Sequence, residues 1–217
     1  MALHKRILIM TAVEVEREAV LRGLRGDPRF EVLLAGVGPI AAAVNTVKAL
    51  ASTEYDLVVS AGIGGGFPGR AEVGTLVVAD DVVVADLGAE TPEGFTTVEE
   101  LGFGSMRLPA LDQTLVQRVL AGLVADNLPV TAGPVLTVST VTGTAASATE
   151  LARRVPGAAA EAMEGYGVGL AAEDGGFPFL EIRAISNAVG PRDRSVWRIK
   201  EALAVLEAAC SVLSEVL

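Results

Sequence analysis

Short uncharged runs of β-strand composition alternate with helical stretches along the whole chain, and this alternation constrains the fold more than any other feature. Ile7-Leu8-Ile9-Met10 lacks the polar alternation of a half-exposed strand and reads as a strand covered on both faces. A helix is predicted over Glu14 to Leu24 and a second strand over Phe30 to Leu34. After the turn Gly36-Val37-Gly38-Pro39 comes a small-residue helix from Ile40 to about Ala51. Leu57-Val58-Val59-Ser60-Ala61 is a third buried strand, ending in a glycine cluster. Val73 to Ala85 reads as one or two strands, and Val130 to Val138, Ala158 to Met163 and Phe179 to Ser186 as further ones. Helices from about Leu111, Ala145 and Gly165 lie between them. The last helix is the clearest, because Ile199, Leu203, Leu206, Cys210, Leu213 and Leu217 recur in steps of four and three and form one apolar stripe. The pattern predicts an α/β fold of three layers, α/β/α, around a mixed central sheet. With no linker, charge block or repeat, residues 1–217 are expected to form one domain.

Composition narrows the function classes. The chain is 51% hydrophobic but only 4% aromatic, which excludes intrinsic disorder and points to an aliphatic core. Seventeen Lys and Arg stand against 27 Asp and Glu, a formal charge of −10. Such a surface repels phosphate backbones and anionic lipid, so neither a nucleic acid nor a membrane is an expected partner. The single cysteine, Cys210, excludes an intrachain disulfide and falls on the apolar face of the last helix, where a packing role is expected. The single histidine, His4, excludes a multi-His metal site and reads as a surface residue. No metal or cofactor is expected. The apolar run after Arg6 is too short for a signal peptide and no run of about 18 apolar residues exists, so a cytoplasmic location is expected.

Ligands of open α/β sheets bind where strands end. Four such places carry polar or glycine-rich residues: Thr11 to Glu16, Ser60 to Phe67, Glu161 to Tyr166, and Ile185 to Arg194. Each has a purely structural alternative. Glu14 and Glu16 suit a helix N-terminus, Gly64-Gly65-Gly66 could be a bare turn, Glu164 could open a helix, and Asn187 could be a turn residue. Gly62-Ile63-Gly64-Gly65-Gly66 mimics part of a dinucleotide fingerprint, but strand-like sequence follows it where that motif requires a helix.

Taken together, the glycines after a strand, Met163-Glu164 at a strand-to-helix junction and Arg183-Ala184-Ile185-Ser186-Asn187 at a late strand end resemble the nucleoside phosphorylase and nucleosidase superfamily. Ala35 to Ala43 looks like that superfamily's glycine-flanked helix start. Asn187-Ala188-Val189-Gly190-Pro191-Arg192-Asp193-Arg194 followed by Trp197 is similar to the futalosine hydrolases within it, and the resemblance spans nearly the whole chain. It implies hydrolysis of the N-ribosidic bond of futalosine, a hypoxanthine nucleoside with a carboxylated aryl-ketone extension at its 5′ end, in menaquinone biosynthesis. The related alternatives are a methylthioadenosine/S-adenosylhomocysteine nucleosidase or a non-catalytic nucleoside-binding protein.

The same resemblance implies the roles. Glu16 activates water, with Glu14 the second choice; Glu164 accepts from the ribose hydroxyls, and Met163 packs on the sugar. Arg183 orients Glu164 or else forms a buried structural ion pair. Asn187 takes the place of an aspartic acid in the methylthioadenosine nucleosidases. An amide is no proton donor in the acid–base sense, but it can bond both N7 and a 6-oxo group. A 6-amino group would be mispaired there, and unpaired buried polar groups discriminate by roughly 10⁴–10⁵. Gly62, Ile63 and Gly64 would line the substrate site, and Ser60 and Ile63 fall where the phosphorylases hold phosphate. With Ile63 apolar and no arginine in that stretch, water is the expected nucleophile. Val141, Thr142, Gly143 and Thr144 stand in the position of the base-binding loop. The resemblance also implies a homo-oligomer, with the glycine-interrupted Asp86 to Leu108 excursion, including Phe95 and Phe103, reaching a neighbouring subunit.

Overall fold

A computed structural model of the chain describes residues 5–109 and 111–217. The surface role expected of His4 lies outside the described residues. The elements alternate as expected: β1 (Ile7–Thr11), α1 (Glu14–Leu24), β2 (Phe30–Leu34), α2 (Pro39–Ser52), β3 (Leu57–Gly66) and β4 (Leu76–Val84). After a small hairpin, β5 (Gly88–Thr91) and β6 (Gly94–Thr97), come α3 (Gln113–Ala125), β7 (Val130–Thr137) and α4 (Ala145–Arg154). The chain ends with β8 (Ala160–Ala162), α5 (Gly165–Asp174), β9 (Phe179–Ala188) and α6 (Ile199–Val216). Helices flank a mixed sheet, with α1 and α3 packed on α6 and α2 packed on α5.

The sheet is not open. β1 lies between parallel neighbours β2 and β3, and β3 continues parallel to β9. β9 then pairs antiparallel with β4, β4 parallel with β7, β7 parallel with β8, and β8 antiparallel with the far end of β3. Five strands therefore form a closed ring, from which β1 and β2 extend.

β3 is the seam of that ring, and here one expectation is corrected. The glycine cluster does not end the third strand at Ala61, nor is it a bare turn; the strand runs on to Gly66. It pairs with β9 on one side, and with β1 and then β8 on the other. Lack of side chains over residues 62–66, apart from Ile63, lets neighbouring elements close in on the strand.

The core beneath this sheet is aliphatic. Ile7, Leu8 and Ile9 of β1 and Leu180 and Ile182 of β9 are fully buried with Leu206, Cys210 and Leu213 of α6. Burial pushes the Cys210 thiol up to about 12, so it packs as an apolar group. Among the described residues no helix is long and apolar enough to cross a membrane. The Asp86 to Leu108 excursion carries the hairpin and is tied to β4 through Val84 N–H to Met106 O at 2.8 Å. Its two phenylalanines differ: Phe95 lies under the Arg154 guanidinium at 3.6 Å, whereas Phe103 is 82% exposed.

Candidate active site

Glu16 is the third residue of α1, and its carboxylate turns back onto the strand end before the helix. Oε2 accepts from Ala12 N (2.9 Å) and from Val13 N (3.2 Å), the latter bond satisfying one of the free donors at the helix start. Oε1 reaches across to β3 and accepts from Ile63 N at 2.9 Å. The side chain is buried, and burial pushes its carboxyl above the usual carboxylate range; the Ile63 N–H and the Arg183 charge oppose this, and Glu164 adds to it. Glu14 does not compete, because it is exposed and paired with Arg17 at 2.8 Å.

Arg183 lies on β9 opposite Gly62 of β3. Its guanidinium is saturated: Nε donates to Glu181 Oε1 (2.8 Å), Nη1 to Glu164 Oε2 (3.3 Å) and Nη2 to Ser60 Oγ (2.9 Å). It also faces Glu16 across Gly62. A Cβ on that glycine would stand 2.6 Å from Glu16 Oε1 and 2.8 Å from Arg183 Nη1, so only glycine lets the two side chains meet there. Three carboxylates thus share one fully buried guanidinium. The two roles considered for Arg183 are one arrangement: it is a buried ion pair, and it is what orients Glu164.

The expectation of no arginine near Ser60 is corrected by this geometry. Arg183 reaches Ser60 from β9, a proximity the local sequence of β3 cannot reveal. Its charge is nevertheless committed to carboxylates, so the conclusion drawn for phosphate is unchanged.

Glu164 sits at the turn into α5. Oε1 accepts from Gly38 N at 3.3 Å, in the loop before α2, and Oε2 accepts from Met163 N at 3.3 Å as well as from Arg183. Met163 is half-buried beside it. Glu16 from the start of α1 and Glu164 from the turn into α5 are thereby gathered with Arg183 of β9 about Gly62 and Ile63 of β3.

Asn187 lies farther along β9, opposite Gly65, just beyond a bulge that shifts the β3–β9 register after Gly64. Gly64 itself backs onto Arg183 and the Glu161 carbonyl. The Asn187 amide is half-buried; Oδ1 accepts from Ser186 Oγ (2.8 Å) and Nδ2 donates to Ala188 O (3.0 Å). Next to it along the chain, Val189 is buried but Ala188 is exposed. Residues 141–144 approach this end through Gly143 O, which accepts from Arg192 N at 3.1 Å. Two of their side chains are already engaged. Thr142 donates through both N and Oγ1 to the Glu161 carboxylate, and Thr144 caps α4 by accepting from Ser147 N.

Two buried acids escaped the sequence reading. Glu181 is fully buried against Arg183, its Oε2 has no hydrogen-bond partner among the described residues, and burial pushes its carboxyl up. A Cβ on Gly165 would fall 2.1 Å from that carboxylate, so α5 starts hard against it. The spacing Glu181-x-Arg183 in an otherwise apolar strand puts both side chains on one face, which was the available signal. Glu161, which holds Thr142, is likewise buried with its carboxyl pushed up by desolvation.

Residues 11–217 match the phosphorylase superfamily. The chain is 50% identical to the futalosine hydrolase of Streptomyces coelicolor, covering 97% of this chain and 96% of that protein. It is 46% identical to the futalosine hydrolase of Acidothermus cellulolyticus, covering 95% and 89%. Its fold superposes on the 5′-methylthioadenosine/S-adenosylhomocysteine nucleosidase of Neisseria meningitidis, solved in complex with methylthio-immucillin-A, with a TM-score of 0.82 over 97% of this chain and 99% of that one at 18% identity. The chain belongs to the phosphorylase superfamily and, within it, to the futalosine hydrolases.

Proposed function

We infer that the protein hydrolyses the N-ribosidic bond of futalosine to hypoxanthine and dehypoxanthine futalosine, a step of menaquinone biosynthesis. In that reaction the bond from C1′ to the base breaks with its electron pair leaving on the purine. Water supplies the oxygen that bonds to C1′, its proton passing to Glu16. The departing base takes up a proton in turn. Positive charge grows on the sugar in the transition state, and carboxylates placed around it favour that state over the neutral substrate.

The observation that carries this reading is the convergence of Glu16 and Glu164 on Arg183. One carboxylate, with a raised pKa, serves as general base at neutral pH. The other, fixed by Arg183 and the Gly38 N–H, accepts from the ribose hydroxyls. Met163 packs on the sugar, while Gly62, Ile63 and Gly64 form the floor. Phosphate is disfavoured because Glu16, Glu164 and Glu181 surround Arg183, the arginine beside Ser60.

Asn187 selects a 6-oxopurine by donating to one acceptor edge of the base. Backbone groups and Val141 of the Val141 to Thr144 loop complete the base site, Thr142 and Thr144 serving to shape that loop. In the same reading the protein is a homo-oligomer. Ile40, Val44 and Val47 form an exposed apolar stripe on α2, and Phe103 stands out from the excursion, both of which suit burial against another subunit. Incubation of the purified protein with futalosine and with methylthioadenosine tests the function directly: hypoxanthine is expected from the first. Adenine released from the second at a comparable rate would contradict the role of Asn187.

A further inference from the structure

The loop between β9 and α6 carries residues that the hydrolysis itself does not use. It leaves the strand after Ala188 and returns beside it, where Arg198 N donates to Ser186 O at 2.8 Å, one residue from Asn187. Midway, Arg192 N is tied to Gly143 O in the loop assigned to the base. The segment therefore borders the mouth of the site on both sides of Asn187.

Within it, the Arg192 guanidinium carbon lies 4.9 Å from the centroid of the Trp197 ring and that of Arg194 lies 5.9 Å from it. Both arginines are exposed and Trp197 is half-buried. Arg198 next to them pairs with Glu201, but neither Arg192 nor Arg194 has a carboxylate within ion-pair distance among the described residues. Asp193, between them, is turned to Ser195 N (2.9 Å) and Ser195 Oγ (2.6 Å) instead. Acids outnumber bases in this chain by ten, yet these two cations gather on one indole ring and not on a carboxylate. Such an arrangement matches a flat anionic ligand: the indole offers a stacking face and the guanidiniums a planar fork for a carboxylate.

We propose that Arg192, Arg194 and Trp197 form the subsite for an aromatic carboxylate at the 5′ end of the substrate. The aryl ring packs on Trp197, and the two guanidiniums take its carboxylate. The assignment rests on the futalosine reading, which supplies the aryl carboxylate. It adds that selectivity at the 5′ end comes from a charged loop next to the base site.

The test compares futalosine with an analogue whose aryl carboxylate is replaced by a neutral carboxamide. Wild-type protein is expected to favour futalosine. The double variant Arg192→Ala/Arg194→Ala should lose roughly 10- to 100-fold in kcat/KM on futalosine, mostly through KM, the range a charge-assisted contact supplies. Its activity on the carboxamide should stay at the wild-type value, and Arg192→Lys/Arg194→Lys should recover part of the loss. Equal losses on both substrates, or a wild type indifferent to the carboxylate, would overturn this subsite while leaving the hydrolase reading intact. A wild type that cleaves neither compound would overturn both.

Discussion

Arginine is used in opposite ways within β9 and on the loop that follows it. Arg183, in the interior, is oversubscribed: Glu181 and Glu164 bond it, Ser60 takes its remaining edge, and Glu16 stands close by. Arg192 and Arg194, on the loop after the strand, have no carboxylate partner among the described residues and rest on Trp197. The contrast separates two kinds of work. Groups that must hold one geometry through bond breaking are fixed by mutual charge in a dry interior, where an unpaired ion would be very costly. Groups that wait for an anionic ligand can stay uncommitted only where water solvates them. In the proposed reading the carboxylates of the interior belong to the chemistry, and the cations of the rim to recognition.

The sharpest break of this division comes from Glu16→Gln. Loss of a positioned general base costs roughly 10²–10⁴-fold, so turnover should collapse while substrate binding, read by equilibrium titration, stays near wild type. Unchanged turnover would remove Glu16 from the reaction. Glu164→Ala should come next, lowering kcat and raising KM together by roughly tenfold or more, because it releases the ribose and leaves Arg183 partly unpaired. A variant with near-normal KM would speak against a sugar contact.

Asn187→Asp is expected to have a smaller, two-sided effect. Cleavage of the 6-oxopurine substrate should fall, and some cleavage of 6-aminopurine nucleosides should appear, since a protonated carboxyl donates to N7 and accepts from the amino group. The differential bonding amounts to a few kcal/mol, so the switch should be partial. Inactivity on every base, with the fold retained by circular dichroism, would make Asn187 structural.

The smallest effect is in the pH profile. Glu16 must be ionised to take a proton, and burial raises its pKa, so kcat/KM should fall as pH drops through a value above the ordinary glutamate range. Activity that persists undiminished into that ordinary range would show that the burial of Glu16 does not control the reaction.

Much of this division was legible before any coordinates. The helix over Glu14 to Leu24 and the strand over Phe30 to Leu34 fall where the sequence pattern puts them, because each is a single period between turn residues. Local pattern could not show the ring closure, since β8 is three residues long and its partners lie far away in sequence. The glycines of β3 read as a turn for a related reason. Glycine normally weakens a strand, and here the need for it comes from Glu16 and Arg183, which arrive from elsewhere in the chain. Glu181 was readable from its two-residue spacing to Arg183, but only once that arginine is known to point inward. Residues 141–144 read as a base-binding loop, but nothing in that run shows that two of its hydroxyls serve the loop itself, for Glu161 and for the cap of α4.

In the proposed reaction water, not phosphate, attacks the sugar, because the buried Arg183 is ringed by carboxylates. The most direct measurement is the product of futalosine turnover with and without millimolar-range inorganic phosphate, resolved by chromatography and mass. Hypoxanthine and free dehypoxanthine futalosine, formed at the same rate in both reactions, are the expected result. A sugar 1-phosphate among the products, or base release that rises with phosphate, would contradict it.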